Sequence, residues 1–140
     1  MATEQETQKK YFTLEKANAT LPLLRAILRD ITDLAKDLRR HSQQLSRLEG
    51  AGQLDRAHQE EIQHILAEFE RGQDRMRDLE NELRELNVEL KDHFSGLVDF
   101  PCWKDGREVY LCWRLGEPEV AHWHEVDAGF AGRKPLPRIS

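Results

Sequence analysis

From Leu24 onwards, apolar residues return in alternating steps of three and four: Leu24, Ile27, Ile31, Leu34, Leu38, Leu45 and Leu48, with His41 in register. This is the spacing of a seam along which one helix packs against another. Gly50-Ala51-Gly52 ends the run, and Asp55 can cap the next helix. A second seam follows, with Ile62, Phe69, Met76, Leu83 and Leu90 every seventh residue and Ile65, Gly72, Leu79, Leu86 and His93 between them. It predicts a second long helix over 53–95, closed by Phe94-Ser95-Gly96. Gly72 weakens that helix locally, or admits a bulky side chain from its partner. Upstream, Thr13 caps a short helix ending near Asn18. Pro22 fits the first turn of a new helix capped by Thr20. Residues 13–49 therefore read as a short helix plus the first long one, and residues 1–10 as disordered. A short loop between the long helices makes them antiparallel.

Beyond residue 96 the period changes to two. Asp105-Gly106 between apolar runs is a strong two-residue hairpin signal. Centring the turn there opposes Val98 to Trp113 and Phe100 to Leu111. Val98, Phe100, Cys102, Val109, Leu111 and Trp113 then form an apolar face that packs on the helices. Asp99, Pro101, Trp103, Glu108, Tyr110, Cys112 and Arg114 form the other face. The two cysteines fall on opposite faces and cannot pair. A second turn at Gly116-Glu117 opposes Arg114 to Glu119 and Tyr110 to Trp123, which turns Val120, His122 and His124 inward. A slip of one residue would instead set the histidines beside Asp99 and Cys112. The expected fold is mainly α within an α+β chain: a long antiparallel two-helix coiled-coil hairpin, then a small three-stranded antiparallel β cap over 97–126. Residues 127–140 read as a loop and tail. The 140 residues form one domain.

Composition narrows the function classes. The net charge is −5 and no run of five basic residues occurs, so the basic footprint of a nucleic-acid binder is missing. No apolar run approaches the roughly 18 residues of a membrane span, and MATEQETQKK lacks the apolar stretch of a signal peptide. Two reduced cysteines and an unexported chain point to the cytoplasm. Leu23, Leu28, Ala35, Leu54 and Leu66 widen the helical stripe beyond a strict seam. That predicts a homodimer formed through the helices as a four-helix bundle, unless the cap and the short first helix cover the surface.

The segments YFTLEKANATLPLLR, VELKD, GLVDFP, DGREVYLCWRLGEPEVAHWH and DAGFAGRKPL, between Tyr11 and Leu136, resemble the bacterial family catalogued as domain of unknown function 2203. The resemblance implies a cytosolic bacterial protein and supplies no activity. It also implies that Trp123-His124 belongs to the family pattern, whereas His122 and Cys102 depart from it.

Two sites are legible. His122 and His124 share a strand face, and Glu89 and His93 lie one helical turn apart at the foot of the second helix. These four, at the helix–cap junction, would suit zinc or another divalent transition metal, with Asp127 and Cys112 as reserve ligands. The second site is a polar and aromatic pocket on the outer cap face, framed by Asp99, Tyr110, Cys112, Arg114, Glu117 and Trp123, with Arg133 folding over it. Arg107, Arg114 or Arg133 would there receive a small anion. Gly-rich phosphate loops and nucleophile elbows are absent. The expected function is a non-enzymatic, self-associating interaction or scaffold module that presents its cap to a protein partner. The alternative is a small metal-binding protein, with metalloenzyme activity as an extension of it.

Overall fold

The computed structural model describes residues 10–51 and 55–137. Helix α1 spans Leu14–Gly50 and helix α2 spans Arg56–Glu85. Five strands follow: β1 Glu89–Asp92, β2 Leu97–Lys104, β3 Arg107–Arg114, β4 His122–Glu125 and β5 Lys134–Pro135. They form one antiparallel sheet in the order β1-β2-β3-β4-β5. The expected three-stranded cap is thus a five-stranded meander, with one further strand on either side of the expected set.

Strand β1 is taken from the stretch expected to be helical. α2 stops at Glu85 rather than continuing to 95, because Asn87 adopts a left-handed conformation at φ 64°. The Val88 amide donates to the Leu83 carbonyl at 3.1 Å and the Asn87 amide to that of Arg84 at 3.0 Å. These two bonds make a Schellman cap with asparagine in the glycine position, and the apolar pair Leu83 and Val88 that accompanies it is buried. Leu90 therefore continues the heptad count on a strand.

α1 is a single helix, and the expected break at Pro22 does not occur. Proline inside a helix costs about 3 kcal/mol. Here Ala17, Leu21 and Leu24 are buried on either side of it, so tertiary packing holds the first turns in line. Thr13 caps α1 through the Lys16 amide at 3.1 Å, as expected. The Thr20 hydroxyl, expected as a second cap, instead donates to the Lys16 carbonyl at 2.8 Å.

The helices run antiparallel, with His41 against Glu68 and Asp30 against Arg75. At Gly72 a Cβ would stand 2.6 Å from Leu38 Cδ2, so the glycine does receive a side chain from α1. Gly72→Ala should change stability by less than about 1 kcal/mol, since gained helix propensity offsets a small shift of Leu38. Gly72→Leu should cost about 1–3 kcal/mol by overpacking. Urea denaturation followed by circular dichroism separates the two, and equal midpoints for Leu and Ala would contradict the contact.

The β2–β3 register is the expected one, with Val98 opposite Trp113, Phe100 opposite Leu111 and Cys102 opposite Val109. Asp105 and Gly106, both at positive φ, make the turn. The inner face of these strands packs on Leu21, Leu24, Leu28, Ile31, Leu79 and Leu83 in one core. Leu28 and Ala35, expected to seek a second protomer, are buried within the chain, while Leu23 and Leu66 stay exposed. Leu54 lies outside the described residues, as does most of the segment expected to be disordered. Both cysteines are free and buried.

Between β1 and β2, Asp92 Oδ2 accepts from the Ser95 amide at 2.8 Å and from its hydroxyl at 2.6 Å. These bonds hold the Asp92 carboxyl below its ordinary value. A depressed carboxylate stabilises the fold above its unfolded pKa, and the effect is lost as pH falls through the folded value. Asp92→Asn should therefore lower stability at neutral pH by no more than about 1 kcal/mol, given partial solvent screening. The difference should vanish in acid. A deficit that persists in acid would place its cause elsewhere.

Candidate functional site

β4 pairs with β3 one residue away from the expected register. Cys112 lies opposite His122, Leu111 opposite Trp123 and Tyr110 opposite His124. The cause is the connection before β4. Val120 donates its amide to Asn18 Oδ1 on α1 at 2.7 Å, and Arg25 donates to the Pro118 carbonyl at 2.8 Å. The segment after Gly116 is thereby tied to the helix instead of extending β3. The slip turns both histidines to the outer sheet face, beside Asp99, Tyr110 and Cys112, and places Trp123 on the opposite face. There Lys104 and Lys134 bring their ammonium groups to 5.0 and 5.1 Å from its ring centre.

Asp99, Cys112 and His124 are the centre of the outer face. Asp99 and Cys112 are direct cross-strand neighbours, and His124 sits one rung along on β4. Their relative exposures are 3%, 1% and 2%, although an outer face would ordinarily meet water. The cover is the segment after β4, where a 3-10 turn at Phe130–Gly132 leads into β5. His124 Nδ1 lies 2.7 Å from the Glu125 carbonyl oxygen. That oxygen only accepts, so Nδ1 carries a proton. His124 Nε2 lies 3.0 Å from Asp99 Oδ2, while Asp99 Oδ1 is buried with no hydrogen-bond partner. Burial pushes the Asp99 carboxyl above its ordinary value, against the opposing pull of His124 and Lys91. Burial also pushes the Cys112 thiol up to about 12, helped by the neighbouring Asp99 carboxyl. Cys112 is thus a protonated thiol with no activated-nucleophile character.

A pocket of about 310 Å³ opens onto this centre. Asp99, His124 and Tyr110 line it with Leu97 and Lys91, and Val126–Phe130 close the far wall. Beside it, Arg133 Nη2 donates to Glu117 Oε2 at 2.7 Å and contacts His122 Nδ1. Its guanidinium lies 4.8 Å from the Phe130 ring centre, which latches the covering segment to the sheet.

The expected metal set is not brought together. His93 lies in the β1–β2 turn, with Nε2 3.0 Å from Glu80 of α2, because the helix meant to carry it ends eight residues earlier. Glu89 ion-pairs with Lys91 at 3.0 Å, and His122 faces Arg133. Of the four, only His124 belongs to the buried centre; the reserve ligand Cys112 joins it, and Asp127 lines the exposed side of the pocket. Of the expected pocket residues, Asp99, Tyr110 and Cys112 converge. Glu117 and Arg133 form the latch, Arg114 stacks on Phe130 at 5.2 Å, and Trp123 is excluded by the slip. Lys91, Leu97 and Phe130 were missed. Lys91 lies on the β1 strand hidden in a helical heptad, Leu97 is the first residue of β2, on the outer face, and Phe130 is an apolar residue inside a Gly-rich tail.

A helical hairpin laid against one face of a five-stranded meander, with a buried polar centre on the other, defines an α+β domain. The chain belongs to the family described as uncharacterized conserved protein (DUF2203), whose profile matches residues 10–136. No curated protein and no solved structure shows a significant match. Among the described residues, no helix is long and apolar enough to cross a membrane.

Proposed function

We propose that the protein is a small-molecule-binding domain whose site is the pocket on the outer sheet face. One observation carries the reading. Two almost fully buried polar side chains, Asp99 and His124, form the floor of a cavity, and Asp99 Oδ1 has no partner there. A buried acceptor left unsatisfied costs about 1–3 kcal/mol, and a small rotation of the Asp99 carboxyl towards the cavity would let a ligand donor offset that cost. A volume of about 310 Å³ is at the small end of ligand sites. Leu97 and Phe130 offer apolar wall, and the Lys91 ammonium, held by Glu89, offers a second partner for an anionic substituent that displaces or shares that pairing. Leu28 and Ala35 of the widened helical stripe are buried within the chain while Leu23 and Leu66 stay exposed, and the outer sheet face carries the more specific chemistry. Fragment screening by protein-observed NMR tests the reading. Fragments carrying a hydrogen-bond donor should shift the resonances of Tyr110 and His124, and Leu97→Trp, which adds bulk to the pocket wall, should abolish those shifts. Hits that map elsewhere, or none at this face, would overturn it.

A further inference from the structure

Within the same face, a different observation concerns an ion rather than an organic ligand. A ring nitrogen of His124, a carboxylate oxygen of Asp99 and Cys112 Sγ all lie within 4.8 Å of one another, the only such trio among the described residues. We propose that Asp99, Cys112 and His124 bind a single divalent transition metal of the zinc class, with the fourth coordination position facing the pocket. The site lies on three neighbouring strands of the sheet, away from the helix–cap junction and from His93 and Glu89.

The Glu125 carbonyl fixes the proton of neutral His124 on Nδ1, so Nε2 presents a lone pair. It points at another acceptor, Asp99 Oδ2, 3.0 Å away. Without a cation between them, these atoms must share a proton, and Oδ1 has no well-formed hydrogen bond, with only the weak Cys112 thiol donor beside the carboxyl. A metal ion meets the acceptors together. The backbone carbonyl bond to Nδ1 is also the outer interaction that ordinarily orients a metal-bound imidazole.

Donor chemistry selects the ion. One imidazole nitrogen, one carboxylate oxygen and one thiolate sulfur make a borderline-soft set suited to zinc and poorly suited to magnesium or calcium. Bonds of about 2.0–2.3 Å in a tetrahedron require the nitrogen–oxygen edge to open by a few tenths of an ångström and the sulfur to move inward. Coordination displaces two protons to solvent, the one shared by Nε2 and Oδ2 and the one on Cys112. The metal and its two anionic ligands are then neutral in sum, and no electron moves. Three protein ligands with the last position open to a cavity is the arrangement of metal sites that bind a water or an exogenous ligand. The inference does not rest on the pocket binding an organic molecule, because the three protein donors suffice.

Cobalt(II) titration of the full-length chain provides the test, since cobalt reports both geometry and sulfur ligation. One equivalent should bind and give visible bands of tetrahedral intensity with a thiolate-to-cobalt charge-transfer band in the near ultraviolet. Zinc should displace the cobalt and abolish both signals. Cys112→Ser should remove the charge-transfer band and weaken binding by at least about 100-fold, more than the loss of an outer-shell partner. Asp99→Asn, which keeps a hydrogen bond to His124 and so preserves the fold, should weaken binding to a similar degree. His58→Ala, far away on α2, should leave the titration unchanged. A wild-type titration without the charge-transfer band, or one whose band survives Cys112→Ser, would overturn the site. Fragment shifts at Tyr110 in metal-free protein would still support the pocket, so the two readings fail separately.

Discussion

Trp113→Ala should destabilise the protein by about 3–5 kcal/mol, a large part of the roughly 5–15 kcal/mol that holds a domain of this size together. Trp113 is wholly buried on the inner face of β3. It packs in the core shared by Val98, Leu24 and Leu28. Its indole Nε1 donates to the Glu117 carbonyl at 3.1 Å, and the Arg25 guanidinium lies 5.8 Å from its ring centre. Truncation would leave a cavity between α1 and the sheet and would release the segment that carries Glu117. Because Glu117 also holds Arg133, the damage should spread to the latch over the outer face. Trp113→Phe keeps most of the apolar volume and loses the hydrogen bond, so it should cost substantially less. Urea denaturation of the three proteins measures the order. An alanine variant within 1 kcal/mol of wild type would mean that the sheet does not dock on α1 through this residue.

What the sequence discloses and what it hides divide along the range of the forces involved. The Asp105-Gly106 turn is local, and its register follows from two residues that accept positive φ. The helical seams are also local, since a period near 3.5 is written in consecutive residues. Three features escape a periodic reading because competing interactions decide them. Pro22 stays helical because residues on both sides of it are buried against a sheet that begins far along the chain. Leu90 and His93 fit the heptad, but the Asn87 cap ends the helix first, and asparagine is a weaker written signal there than glycine. The register of β4 depends on Asn18, 102 residues away from Val120, which removes the preceding segment from the ladder. That one-residue slip decides the candidate site. With it, His124 meets Asp99; without it, His124 would sit in the apolar core. Asp99 is the lone acid of an apolar strand, LVDFP, and the sequence offers the histidines as its neighbours only in the slipped register, which the Asn18 contact selects.

Asp99→Ala should cost about 3 kcal/mol or more in metal-free protein, while Asp99→Asn should stay within about 1 kcal/mol of wild type. The contrast follows from what each leaves opposite His124. Alanine removes the hydrogen-bond partner of Nε2 and leaves a buried ring nitrogen unsatisfied beside a new cavity, the situation in which breaking a buried polar pair is expensive. Asparagine has nearly the same shape, and its amide nitrogen can donate to Nε2 while Nδ1 keeps its bond to the Glu125 carbonyl. It also removes the burial cost that raises the Asp99 carboxyl above its ordinary value. Chemical denaturation in the presence of a chelator, on wild type and both variants, gives the comparison without contribution from bound metal. If asparagine proved as damaging as alanine, the pair would be a charged imidazolium–carboxylate bridge. His124 would then carry protons on both nitrogens in the folded protein, and the lone pair on which the metal site depends would be absent.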